Sequence, residues 1–458
     1  MRYLVNTIKI VGLICTLLFL AFVMINWGDE ELKPEVAQAL AWKPIDNAFE
    51  DNGYLTLLGI EAPAEMSATQ VGTRMLKAEL ARYVSMQKDH KETPAPEPNP
   101  AEVDDYIDWA DNRCDYQKQA NCVDFYLQQG ADTLSFVMLS QQRLTARYNE
   151  IWGAKSYVEV IPPLVTSQIP KYSLLTQASE LERIQAILDI SEGKIEQGVT
   201  RFARNASYSR RLLRESNILI SHMVAVAMMQ RDTRILSELM AKYPKIATQY
   251  AAQLAPVLAP ISAPEYNLKK AFIYERDKGF QMMNNLKFTT PTELSGDKAN
   301  SFIKLYSWLG FQGNATNNAL YEQSKWFVKL AEANAAELDA VKAEIAQNQL
   351  NDFEIDYRFF TIKNPIGRIL IEVAQPDYTS YVERQHDLNG YLHMVDFQLS
   401  LLAGKVTKKY QIDTIESADL YIKERMHFDA NSGMLTFTGM QPSSINLNKS
   451  NIYQVKLH

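Results

Sequence analysis

Two Glu-x-x-His pairs, Glu383 with His386 and Glu424 with His427, have the spacing with which di-iron carboxylate bundles draw ligands from facing helices. Such a site also takes a carboxylate from each of two further helices. The second pair, moreover, runs into a segment patterned as a hairpin, where residues three apart no longer share a face. His386 and His393 are seven apart and fall on one side of a helix, as two zinc ligands would, but no third ligand accompanies them. These histidines read as surface or hydrogen-bonded groups, and neither a metal nor another cofactor is expected.

Ser301, Phe302, Ile303, Lys304 spells S-x-x-K, the nucleophile and lysine of penicillin-recognising enzymes. The same short pattern recurs at Ser85, Met86, Gln87, Lys88. Ser444, Ile445, Asn446 has only a loose S-x-N form and no K-T-G follows, so the substrate strand of those enzymes is missing. No G-x-S-x-G elbow, phosphate-binding glycine loop or H-E-x-x-H occurs, and no catalytic residue is assigned. Arg201, Arg204, Arg210, Arg211 and Arg214 form the one dense cationic cluster, with Arg204 and Arg211, or Arg210 and Arg214, on one side of a helix. An anionic partner (a phospholipid headgroup, a glycan or an acidic protein) is the functional reading. The alternative is arginines paired with local acids, Glu215 among them, on a solvated face. Met223, Met228, Met229, Met240, Met282 and Met283 interleave with Leu, Val and Ala at helical spacing and read as core.

The elements that must carry these residues begin with an apolar run from Ile10 to Trp27 that contains no charged residue. It is long enough to cross a hydrocarbon core of about 30 Å at roughly 1.5 Å per helical residue. Arg2 and Lys9 precede it, while Asp29, Glu30 and Glu31 follow, so the positive-inside bias keeps residues 1–9 in the cytoplasm and exports the rest. A cleaved signal is the competing reading. It requires small residues before the cut, whereas Val23, Met24, Ile25, Asn26 and Trp27 are mostly bulky and Trp27 suits a membrane interface. An uncleaved anchor over 10–27 is expected.

Export bears on the cysteines. Cys15 lies in the span, which leaves Cys114 and Cys122 as the pair for one disulfide. On one continuous helix their Cα atoms would stand about 12 Å apart, beyond the roughly 7 Å reach of a bridge, so the chain must turn between them. The residues from Asp115 to Asn121 have no strong apolar period and permit that turn; two free, partly buried thiols are the alternative.

The chain has 458 residues, 47% hydrophobic and 22% charged, an ordinary globular composition beyond the anchor. Its net charge of −7 argues against a nucleic-acid surface, which shows a basic excess. Residues 28–102 read as an extended stretch with Pro34 and Pro44, a short apolar segment from Tyr54 to Ile60, and a helix capped by Ser67 with Val71, Met75, Leu76, Leu80 and Val84 on one face. Pro94, Pro96, Pro98 and Pro100 then make an exposed linker. Residues 103–352 are helical almost throughout, cut by Pro162, Pro163, Pro170, Gly193, Pro244, Pro256, Pro260, Pro264, Pro291, Gly296 and Gly313. Within them, Glu180 to Arg214 resembles a helix–turn–helix unit of repeat proteins, though the spacing does not recur three times. Residues 353–458 change character near Phe353. A helix over Tyr378 to Leu402 is followed by a hairpin over Met426 to Phe437 and a third strand at the end. The expected fold is mainly α: an N-terminal transmembrane helix, an irregular, repeat-like α-helical array and a small C-terminal α+β element with an antiparallel hairpin.

The Gly53 to Pro63 segment, the Cys114 and Cys122 pair, the Arg214 to Met223 helix, and Asn364 to Arg368 with Arg384 to Leu392 together resemble an uncharacterised proteobacterial family of single-pass envelope proteins. The resemblance implies a Gram-negative inner membrane and periplasm, and it carries no activity. The expected role is a non-enzymatic scaffold or interaction module of the envelope. Its partners would be the inner membrane, through the N-terminal helix, and an envelope protein, with no nucleic acid. The alternative is a periplasmic hydrolase whose site is assembled from scattered residues, and a small-ligand or lipid-binding module is a third reading.

Overall fold

The apolar N-terminal run forms helix α1 (Arg2–Asn26), whose stretch Val5–Asn26 is long and apolar enough to cross a membrane. Most of it is exposed; Ala21, Phe22 and Val23 are partly covered, and Asn26 is buried. In this computed structural model the described residues are 2–89, 93–95, 99–266, 268–288, 301–347, 363–374, 377–405, 424–429 and 431–457. The transition near Phe353, the breaks at Pro291 and Gly296, and Pro96 and Pro98 lie outside them. About 68% of the described residues are helical, in 17 α-helices, with one small three-stranded sheet among them.

Helix α2 (Pro34–Leu40) lies in the stretch expected to be extended. Proline opens it because the first helical position needs no N–H donor. The apolar segment after it is the short helix α3 (Gly53–Leu58), buried at every residue. Asn52 explains its start: its side chain accepts from the Tyr54 N–H and from the Val158 N–H while donating to the Ala48 and Val158 carbonyls. Helix α4 (Ala68–Asp89) then packs directly on α3, backbone against backbone. A Cβ at Gly59 would strike the Ala68 carbonyl and one at Gly72 the Leu55 carbonyl, so glycine is what permits this approach. The Ser67 hydroxyl accepts from the Gln70 N–H as expected. Val84 departs from expectation: it is exposed, and Tyr83 and Met86 are buried with Leu164 instead.

The helical array continues through α5 (Cys122–Gln129), α6 (Ala131–Ser140) and α7 (Gln142–Gly153) to a central trio, α8 (Tyr172–Ser191), α9 (Ile195–Glu215) and α10 (Leu219–Lys242). The Glu180 to Arg214 unit is the α8–α9 hairpin. Gly193, at φ +83°, reverses the chain, and the Lys194 N–H reaches back to the Asp189 carbonyl at 2.8 Å, closing the end of α8. Helices α11 (Lys245–Leu258), α12 (Leu268–Leu286), α13 (Ser301–Leu309), α14 (Gly313–Glu332), α15 (338–347) and α16 (Pro365–Ala374) follow.

Helix α17 (Thr379–Leu402) carries the terminal sheet. Strands β1 (Met426–Asp429), β2 (Met434–Thr438) and β3 (Ile452–Lys456) pair antiparallel in sequence order, with Phe428 opposite Leu435 and Leu435 opposite Val455. Phe437 lies on Gly390 of α17, and Tyr453 packs against Tyr391 at 4.9 Å between ring centres. One buried cluster includes residues from α3, from α5 to α11, from α17 and from the sheet.

Candidate functional site

Cys114 and Cys122 lie at disulfide distance, with Cα atoms 5.6 Å apart across a turn in which the Lys118 and Gln119 N–H groups reach the Asp115 carbonyl. The turn is held from outside as well. The Arg234 guanidinium on α10 donates to the carbonyls of Tyr116 (2.8 Å), Gln119 (2.6 Å), Ala120 (3.2 Å) and Ile445. Its ion-pair partner Glu238 accepts from the Cys122 and Val123 N–H groups at 2.8 and 3.0 Å, at the start of α5. Burial raises the Glu238 carboxyl above its ordinary value against the pull of Arg234. The cysteine loop therefore joins α5, α10 and the C-terminal segment.

All five arginines of the cluster lie on α9, and each has a carboxylate partner. Arg201 pairs with Glu182 and Asp189 of α8, and Arg204 with the same Glu182 at 3.1 Å. Arg210 forks onto Glu265 at 2.9 Å and also donates to the Val257, Ala259 and Pro260 carbonyls. Arg211 meets Glu215 and the Trp152 and Ala154 carbonyls, and Arg214 meets Glu215 as well. The arrangement joins helices and leaves no member of the five without a carboxylate.

The metal-like spacings do not converge. Glu383 on α17 accepts from Lys342 (2.7 Å) and Gln441 (2.6 Å), and His386 is buried against the Tyr266 ring. Glu424 and His427 are exposed at the start of β1. Among the described residues no group of three or more His, Cys, Asp or Glu could hold a metal ion. Ser301 is exposed at the first turn of α13, and Ser85 donates to Asp89 on the surface of α4.

Two polar constellations were not anticipated. In the first, Arg183 of α8 is wholly buried and donates to Asp232 (2.7 Å), Glu180 (2.5 Å) and Ser179 (2.9 Å). Tyr116 and Tyr126 donate to Glu180, Ser209 donates to Asp232, and Asn205 links the group to Tyr148. Burial opposes the charge on Glu180, but Arg183 and Arg231 outweigh it and hold its pKa below the ordinary carboxylate value.

In the second, Glu159 accepts from the Asn217 (2.6 Å) and Ile218 (3.2 Å) N–H groups ahead of α10, from Ser221, and from the Tyr157 and Tyr172 hydroxyls. It is a buried carboxylate at a helix N-terminus, where backbone donors favour a negative group, although burial still raises its pKa. One turn on, His222 lies 3.2 Å from the Ser216 hydroxyl and 3.4 Å from the Gln385 amide oxygen. Burial lowers its pKa to about 4, so the ring is neutral at pH 7. A serine–histidine pair normally signals an activated nucleophile, but here the third partner is an amide and both side chains are closed to solvent, at 1% and 0% exposure. The one sequence signal for this region is a single acid, Glu159, inside the apolar run from Tyr157 to Leu164. Beside it, the Ile218 to Ile220 corner lines an apolar groove of about 470 Å³ with Ile161, Val165, Ile169 and Tyr378, and the Lys278–Glu275 pair adds charge.

No protein-family profile, curated protein or solved structure matches this chain.

Proposed function

We propose that this protein is a non-enzymatic envelope scaffold: a helical periplasmic body held at the inner membrane by α1, presenting its apolar groove to an envelope protein partner. The observation that carries the reading is the collar joining α1 to the body. Asn26 accepts from the Asn364 N–H at 2.9 Å, and the Asp29 carboxylate accepts from the Asn314 and Ala315 N–H groups at the start of α14. Glu30 pairs with Lys363, Lys33 with Glu322, and Asn318 binds the Glu31 carbonyl and the Lys33 N–H. Such a mount sets the orientation of the body, and with it of the groove, relative to α1. The Ser216–His222 pair, with both side chains closed to solvent and an amide as third partner, supports the same reading against a hydrolase.

Topology is tested with a reporter active only after export, fused after His458. The expected result is activity, with the full-length chain in the membrane fraction; release of a shortened soluble species would show cleavage. Partner binding is tested by placing a photo-crosslinking residue at Val165 or Ile220 in the groove and, as a control, at exposed Val84. A reproducible envelope adduct from the groove positions alone is expected. No reproducible partner from either groove position would overturn the scaffold reading.

A further inference from the structure

Two short helices near the exit of α1 expose apolar side chains that a water-soluble body would bury. Helix α13 presents Ile303, Leu305, Tyr306 and Trp308 to solvent, the last 54% exposed, and α16 presents Ile369 and Val373, the latter 82% exposed. Helix α13 and the residue just before α16 meet the membrane-span candidate. Tyr306 stacks on Phe22 of α1 at 5.2 Å between ring centres, with the rings 16° from parallel. One turn past Tyr306 α13 runs into Gly310, whose carbonyl accepts from the Ile366 N–H of α16, while Asn364, immediately before α16, is bonded to Asn26.

We propose that α13 and α16 form a lipid-embedded shelf, lying in the interfacial layer of the phospholipid leaflet through which α1 leaves the membrane; this rests on the reading of α1 as an uncleaved anchor. The depth agrees. Phe22 precedes Trp27 by five residues, about 7–8 Å along a helix. With Trp27 at the headgroup level, Tyr306 sits at that depth, and interfacial helices bury their apolar faces by roughly 5–10 Å. The distribution of charge agrees as well. Asp29, Glu30, Lys33 and Lys363 gather in the collar on the body side of Trp27, in water, while Arg368 and Glu372 border one edge of the Ile369–Val373 stripe. Lys304 has a stem long enough to carry its charge to the headgroups from within α13. Exposed apolar clusters of this kind mark a membrane or protein contact, and the stacking of Tyr306 on the anchor selects the membrane.

The test uses the full chain in vesicles of phosphatidylethanolamine and phosphatidylglycerol, with the Cys114–Cys122 pair left oxidised. A fluorophore on native Cys15 reports the anchor. In a C15S background, the same fluorophore is placed by Trp308→Cys, by Val373→Cys and, as a control, by Phe136→Cys, an exposed apolar site on α6. All three positions are exposed, and helical content by circular dichroism checks the fold. Expected is several-fold stronger quenching at 308 and 373 than at 136 by lipids carrying a nitroxide high on the acyl chain, with protection from aqueous iodide. Iodide quenching at 308 and 373, with Cys15 quenched by a nitroxide near the chain end, would overturn the shelf and leave the anchor standing. Shielding of 308 and 373 from both quenchers would assign the face to a second protein chain and overturn it equally. A Cys15 label that no lipid quencher reaches would remove the anchor reading and the shelf with it.

Discussion

Arg183 has no exposure and two carboxylates in hydrogen-bonding contact, so its charge cannot be deleted without stranding Glu180 and Asp232 in the core. Breaking a buried ion network from one side costs about 3–5 kcal/mol. Arg183→Met is expected to lower the stability of the full chain by that much in urea unfolding; a loss below about 1 kcal/mol would mean that water enters the site. His222 gives a pH signature. Its folded pKa, about 4, lies below the ordinary 6.5, so the unfolded chain binds the extra proton between those values. The stability tied to the neutral ring is present above about pH 6.5 and is lost as pH falls toward 4, amounting to roughly 3 kcal/mol. His222→Gln should flatten the stability profile between those limits by that amount, relative to the parent's own loss, and an unchanged profile would count against a buried neutral ring. Little of this was legible in the sequence. Glu159 stood out only as one acid in an apolar run, and Ser216 and His222 meet because the chain turns between α9 and α10, which no residue period records. The five arginines were legible as a cluster, but their carboxylates come from α8, from Glu265 and from Glu215, and only the last is local.

Among the elements, the cysteine loop combines a cysteine pair at disulfide distance with a polar clamp. In folded, exported protein no free thiol is expected at Cys114 or Cys122 before reduction, and quantitative alkylation of both would refute the link. Cys114→Ser or Cys122→Ser should lower stability by about 2–3 kcal/mol in the chain-entropy account. The folded loop should keep its shape, because Arg234 still holds three of its carbonyls. Arg234→Ala should therefore disturb the loop more than either cysteine change does, read as faster amide exchange at Cys122 and Val123. The α3–α4 contact gives a steric prediction. Gly72→Ala places a methyl group against the Leu55 carbonyl and should cost about 1–3 kcal/mol in thermal or urea unfolding. Element types were the most legible feature: α17, the hairpin and the third strand fall where apolar period and the Asn431–Gly433 turn place them. The misses have local causes. Pro34 starts a helix in a stretch whose prolines point to an extended chain, and α4 turns Tyr83 and Met86 inward in place of Val84 because Leu164 packs there.

At the scale of the whole molecule, the long apolar helix α1 was legible from composition, but the collar was not, since it pairs Asp29 and Lys33 with residues nearly three hundred positions away. Asp29→Ala removes the carboxylate from the start of α14 and should loosen the body on its helix. A spin label on the exposed face of α6 in membrane-embedded protein is expected to report greater mobility in the variant, and unchanged mobility would argue that the remaining collar bonds suffice. The collar also bears on assembly. A body fixed to a spanning helix stands the same way up in every copy within one membrane, so two copies can be related only by rotation about the membrane normal. With α1 spanning as proposed, that admits rings and parallel pairs, excludes any arrangement with a twofold axis lying in the membrane plane, and would require any partner that bridges copies to meet parallel, like-facing surfaces.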